Sequence, residues 1–191
     1  EGINNINLLV LTHPHDDHVG GLPYVLQNIN VELVFDPGKV HTSKSYIEFL
    51  RIVKEKNIEY KNPRFGDFIS FESGVFMEVL NPKEDSLEGL SANNSSIVIL
   101  LKYKDFSALL MGDAEKEVEE NMLGSILGKI NMLKVGHHGS RTATSKEFIF
   151  AIRPEVAVIS VGKENRFNHP HSEVIERLNS LGAKTYRTDI N

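Results

Sequence analysis

The chain has 191 residues and a formal charge of −5, which suits one domain and argues against a general nucleic-acid binder, since those are usually basic. Hydrophobic residues at 40% and charged residues at 25% are a soluble globular composition, and no apolar run is long enough to span a bilayer. There is no cysteine, so disulfides and thiolate metal sites are excluded, and any metal must be held by His, Asp or Glu.

In chain order, Asn7–Thr12 (NLLVLT) reads as a buried strand, Gly21–Ile29 as a short helix and Val31–Asp36 as a second strand. Ser43–Asn57 carries apolar residues three or four apart (Tyr46, Ile47, Leu50, Val53) behind a serine cap, an amphipathic helix. The middle changes character. Phe65–Phe71, Val75–Leu80, Ser96–Tyr103 and Phe106–Met111 read as strands of a meander, interrupted by a polar loop over 81–95. Alternation then returns: helix Glu115–Leu123, strand Ile130–Val135, helix Ser145–Ile152, strand Glu155–Val161, helix Ser172–Leu181 and strand Lys184–Arg187. The expected fold is α/β, with two sheets packed face to face and helices over the outer faces. Both ends are abrupt, so residues 1–191 are read as one domain incomplete at both ends, without its first strands.

Polar clusters recur at the ends of these strands, where ligand sites assemble. HPHDDH (13–18) follows the first strand. MGDAE, with Asp113, follows FSALL. VGHHGS, with His137 and His138, follows INMLK. FNHPHS, with His169 and His171, follows EVAVIS. In an extended segment His13 and His15 point the same way and can share one metal, with Asp17 and His18 free to hold a second. An imidazole–carboxylate set suits Zn²⁺, and also Mn²⁺ or Fe. Asp113 can bridge two cations, which would hold a hydroxide between them for hydrolytic attack. At least one of His137 and His138 is a ligand on this reading, and His169 has a role in the site. The bland readings compete: a lone Asp after Gly is usually a turn or cap, His171 precedes a capping serine, and His41 reads as surface. Residues 129–171 hold seven basic side chains against three acidic ones.

HPHDDH resembles the H-x-H-x-D-H signature of metallo-β-lactamase-fold hydrolases. The wider pattern THPHDDHVGGL, ANNSSIVILL, LLMGD, LKVGHHGS and HPHSEVIERL is similar to the hydrolase domain of ComEC-type competence proteins and their stand-alone relatives, which are bacterial. The resemblance implies an αββα sandwich of two mixed sheets and a dinuclear site. His13 and His15 would serve one metal and Asp17 and His18 the other. Asp113 would bridge, and His138, or alternatively His137, would be the further ligand. Asp17 and His169 would be catalytic. It implies a phosphodiester substrate, with DNA the one expected for the competence type, from a domain that stands alone or is cut from a membrane-anchored protein. Two departures stand out. The GHTPGH-like loop of lactamases and thioester hydrolases is replaced by Ser91–Ser96 (SANNSS), where Asn93 or Asn94 is expected either to contact substrate or a metal-bound water or to make a turn, and Arg141 further on is a candidate to steer phosphate. The strands with a G-Q-G-D-like motif that open relatives are missing. The competing readings are a hydrolase of a small ester, phosphoester or lactone, and a degenerate domain that only binds metal.

Overall fold

The computed structural model describes residues 2–83, 87–125 and 128–190; residues 84–86 of the expected polar loop lie outside that set. The first unit is parallel: β1 (Asn5–Val10) pairs with β2 (Asn30–Phe35), and β2 with β3 (Glu59–Lys61). Between them run α1 (Asp16–Val19), α2 (Leu22–Asn28) and α3 (Lys44–Glu55). The Ser43 hydroxyl accepts from the Tyr46 amide and caps α3, as its sequence predicts. Tyr46, Phe49, Ile52 and Val53 of α3 then pack with Leu9, Leu26, Val31 and Val34 on one face of this sheet. Burying a side chain such as Phe49 contributes about 1.5–3 kcal/mol, and this stripe is what holds the helix on the sheet.

The second sheet has the order β10-β9-β8-β7-β6-β5-β4. β4 (Phe68–Ser70), β5 (Val75–Asn81), β6 (Val98–Tyr103) and β7 (Phe106–Leu110) form the antiparallel meander. β8 (Met132–Lys134), β9 (Val156–Ile159) and β10 (Lys184–Arg187) continue it in parallel, reached through α4 (Lys116–Met122), α5 (Lys146–Ile152) and α6 (Ser172–Ser180). These helices bury Val118, Met122, Phe148, Ile152, Val174 and Leu178 against Leu109, Leu133, Ala157 and Ile159. A third cluster, with Phe35, Val79, Ile97 and Ile99 at its centre and Leu8, Val10 and Met77 around it, lies between the sheets. The result is the expected αββα sandwich. Only the larger sheet is mixed; the smaller is parallel among the described residues, because each of its connections is a helical crossover.

The layers fix where the chemistry can be. β7, β8 and β9 are parallel neighbours, so their carboxyl ends share one edge. β1 delivers its own carboxyl end to the same place from the other sheet: the Ile97 amide, just before β6, donates to the Thr12 carbonyl across the gap at 2.9 Å.

Candidate metal centre

After β1 the chain stays extended to His15 and then makes one helical turn, α1, which carries Asp17 and His18. Apolar residues anchor this turn, with Val19 fully buried behind it. Thr12 Oγ1 lies 3.3 Å from His13 Nδ1 and 3.2 Å from His18 Nδ1, so one hydroxyl orients two rings. Their Nε2 atoms are thereby turned towards Asp113, at 3.6 Å from Oδ2 for His13 and 3.2 Å from Oδ1 for His18.

Asp113 follows β7 on a tight turn. Gly112 has φ +56°, and the Asp113 amide donates to Ser96 Oγ at 3.0 Å. Past β8, Gly136–Gly139 is a single tight turn in which His137 (φ 45°) and His138 (φ 55°) both adopt left-handed backbone. Such conformations cost about 1–3 kcal/mol each and persist where the surroundings hold them. Here the His137 amide donates to the Gly112 carbonyl at 3.1 Å and the His138 Nδ1–H donates to the Ser160 carbonyl at 2.7 Å. The second bond leaves His138 Nε2 to face the carboxylates, 3.1 Å from Asp17 Oδ2 and 3.5 Å from Asp113 Oδ2. This is the usual way a ligating imidazole has its tautomer set from behind.

The electrostatics follow from burial and proximity. Burial opposes ionisation of Asp113, but hydrogen bonds from His138 and His18 outweigh it and hold its carboxyl well below the usual carboxylate range. Its hydrogen bond from His138 takes Asp17 down to about 2, and the bonds to Asp113 and Asp17 push His138 up to about 10. His13 is fully buried, and that burial, with His18 beside it, lowers it to about 3. Burial likewise lowers His15.

This residue set fits divalent ions. Ligand atoms of Asp17, His18, Asp113 and His138 all lie within 4.8 Å of one another. His18 Nε2 and His138 Nε2 converge to 3.2 Å, and the buried Asp113 Oδ1 faces His18 Nε2 at the same distance. A second group adjoins it: His13 Nε2 lies 3.0 Å from His15 Nδ1, with Asp113 in reach of both clusters through its two oxygens. Imidazole nitrogens and carboxylate oxygens gathered this tightly could hold a metal ion.

The family model for the metallo-beta-lactamase superfamily matches residues 1–163. The chain belongs to that superfamily. It is a metal-dependent hydrolase of the metallo-beta-lactamase fold, and the fold implies divalent metal ions. Over 193 residues it is 35% identical to ComE operon protein 3 of Bacillus subtilis, a match covering 100% of this chain and 24% of that protein. It is 33% identical to Recombination protein 2 of Haemophilus influenzae, covering 96% of this chain and 21% of that one. The chain thus spans about a quarter of the length of these relatives. Among solved structures it is similar to CmlA, a diiron β-hydroxylase of Streptomyces venezuelae, with a TM-score of 0.65 at 14% identity over 98% of this chain and 44% of that one. At that identity the likeness concerns the fold alone.

Around this metallo-beta-lactamase centre the remaining residues separate. His169 lines a cleft of about 420 Å³ together with Asp17, His138, Ser160, Asn165 and Phe167. Burial, and then His137 beside it, lowers His169 to about 4. His137 Nδ1 turns away to Glu115, 3.1 Å from Oε1, while its Nε2 remains 3.9 Å from Asp113 Oδ2. Asn94 is committed to the fold: its Oδ1 accepts from the Glu115 amide and its Nδ2 donates to Glu117. Asn93 is not, and its Oδ1 is buried without a partner. Arg141 is exposed, 3.5 Å from Glu173. Among the described residues no helix is long and apolar enough to cross a membrane.

Three participants escape sequence reasoning. His41, read as surface, has its ring 5.8 Å from that of His15, so all eight histidines of the chain join one connected array of ring contacts. Glu115 accepts from the Thr142 hydroxyl at 2.6 Å beside His137, and its place in GDAE, two residues past Asp113, is the only signal for it. The Ser160 acceptor is a backbone carbonyl, for which no side-chain pattern exists.

Proposed function

We propose that this domain is a phosphodiesterase of the ComEC type, a nuclease whose substrate is DNA. The observation that carries the reading is the four-residue cluster of Asp17, His18, Asp113 and His138 opening onto the cleft that also holds His169 and Phe167. The names of the relatives, a competence operon protein and a recombination protein, support a nucleic-acid substrate.

Asp17, His18, Asp113 and His138 would hold one ion. His13 and His15 would hold the other, with Asp113 between them and His137 the nearest further nitrogen. Bound divalent ions supply a nucleophile from water near neutral pH and a Lewis acid for the phosphoryl oxygens. The protein does the rest. Asp17, ionised and with 62% of its side chain exposed, accepts a hydrogen bond from the attacking water and orients it. His169, neutral at pH 7, donates to a phosphoryl or leaving oxygen from the cleft wall. Arg141 and Asn93 would be the substrate contacts. The fully buried His13 and Leu11 exclude water from beneath.

The test is metal content together with hydrolysis of bis(p-nitrophenyl) phosphate in Mn²⁺ or Zn²⁺, comparing wild type with His15→Ala. Bound metal and diester hydrolysis, lowered at least ~100-fold in the variant, is the expected result. Metal without diester hydrolysis would favour a small ester or lactone. A protein that takes up no metal would overturn the reading and leave a non-catalytic domain.

A further inference from the structure

The 162–169 loop carries an aromatic ring, that of Phe167, that the hydrolytic chemistry does not use. Phe167 is 58% exposed, and it stands in the wall of the cleft beside the metal centre. Its ring lies near-parallel to that of His169, with centroids 5.7 Å apart and planes at 25°. His169 in turn lies near-parallel to His138, at 6.5 Å and 23°. Outside, the guanidinium of Arg166 sits 4.8 Å from the Phe167 centroid. A ladder of flat groups therefore runs from solvent to a metal-centre histidine.

The ladder is rigidly held. Asn165 Oδ1 accepts from the amides of Phe167, at 3.2 Å, and His169, at 3.0 Å, while its Nδ2 donates to the carbonyls of Gly162 and His169. One side chain thus fixes the loop by both ends. An exposed ring on a braced backbone loses less entropy when something stacks on it than one on a free loop.

We propose that Phe167 is a stacking platform for one unpaired base of a single-stranded nucleic acid, seated so that the adjoining phosphodiester reaches Asp17 and His138. This rests on the phosphodiesterase reading and specifies its substrate. Every base has a π-face, so such a platform binds without sequence preference. The base must be unpaired, because a duplex keeps its faces occupied. A base that displaces Arg166 keeps the stack and frees the guanidinium for a backbone phosphate. The chain's net charge of −5 works against affinity for phosphate alone, so base contact has to supply much of the binding.

The experiment measures fluorescence anisotropy of the metal-loaded protein with a short labelled oligothymidine, phosphorothioate-linked to slow cleavage, against an abasic strand of equal length and linkage. Wild type is expected to bind the base-bearing strand roughly five- to hundredfold tighter than the abasic one. Phe167→Ala removes that margin and leaves abasic binding within about twofold. Phe167→Trp keeps it. Equal affinity for the two strands in wild type, unchanged affinity in Phe167→Ala, or no binding of either strand overturns the platform. Hydrolysis of bis(p-nitrophenyl) phosphate by the same preparation separates the two failures. Diester cleavage without a base-dependent margin sinks the platform alone. Absence of cleavage sinks the phosphodiesterase reading as well.

Discussion

Nε2 of His138 lies 3.1 Å from Oδ2 of Asp17, although 121 positions of chain separate them. One comes from the turn after β8 in the larger sheet, the other from the single helical turn after β1 in the smaller. The centre therefore exists only when the two sheets are packed together, and ligand affinity is tied to folding.

That geometry predicts unequal metal sites. The group containing Asp17 and His138 offers four side chains, whereas His13 and His15 share only Asp113 with it. Calorimetric titration of the metal-stripped protein with Zn²⁺ is expected to show two steps. His138→Ala should weaken the tighter step at least ~10-fold and His15→Ala only the weaker one. A single step, equally affected by both substitutions, would contradict a two-ion centre built this way.

Gly112 gives a second prediction. Its φ of +56° places an added Cβ 2.9 Å from Ser96 Oγ and 3.0 Å from Thr12 Cβ. Ser96 anchors the Asp113 amide and Thr12 orients His13 and His18, so the overlap falls on supports of three proposed ligand groups at once. Gly112→Ala should lower unfolding free energy by about 1–3 kcal/mol in urea melts. Metal-stripped and metal-loaded protein should differ less in stability than for wild type, because the distorted site binds less tightly.

How much of this was legible beforehand depended on the kind of signal. The clusters at 13–18, 113, 137–138 and 169 stood out because each follows an apolar strand with groups that titrate. What stayed hidden was carried by backbone or by long-range folding. α1 is a four-residue turn inside the motif, with no apolar period to reveal it. β3 is three residues, EYK, an edge strand defined only by its pairing with β2. His41 reaches His15 because the loop after β2 folds back over the site, and no spacing in DPGKVHTS announces that. The roles of Asn93 and Asn94 diverge through contacts with α4, which lies more than twenty residues away.

Asp36 supplies a pH prediction away from the metal ligands. It is fully buried at the end of β2, with Oδ2 unpartnered and Oδ1 accepting from the Tyr46 hydroxyl at 3.3 Å. Burial raises its carboxyl above the ordinary value, more than the Gly38 amide and the tyrosines lower it. The unfolded chain therefore ionises first as pH rises. Stability is full while both states are protonated, falls from about pH 4 upwards through the raised folded value, and stays reduced above it. Asp36→Asn lacks this loss. Its stability relative to wild type should rise as pH increases from about 4 through the raised folded value in denaturant melts. A constant difference across that range would show that Asp36 stays ionised, at no cost, in the folded protein.

The two asparagines of SANNSS make the last prediction. Asn94 accepts from the Glu115 amide at 3.1 Å and donates to Glu117 at 3.0 Å, at the start of α4 and next to the Asp113 turn. Asn94→Ala leaves that part-buried amide without its partner and should cost about 1–2 kcal/mol of stability. Asn93 Oδ1 has no partner to lose, so Asn93→Ala should change stability by less than about 0.5 kcal/mol. If Asn93 serves the substrate, the same variant should lower kcat/KM for a phosphodiester roughly tenfold while its melting curve stays in place. A melting curve displaced as far as that of Asn94→Ala would instead make Asn93 a part of the scaffold, with no role in the reaction.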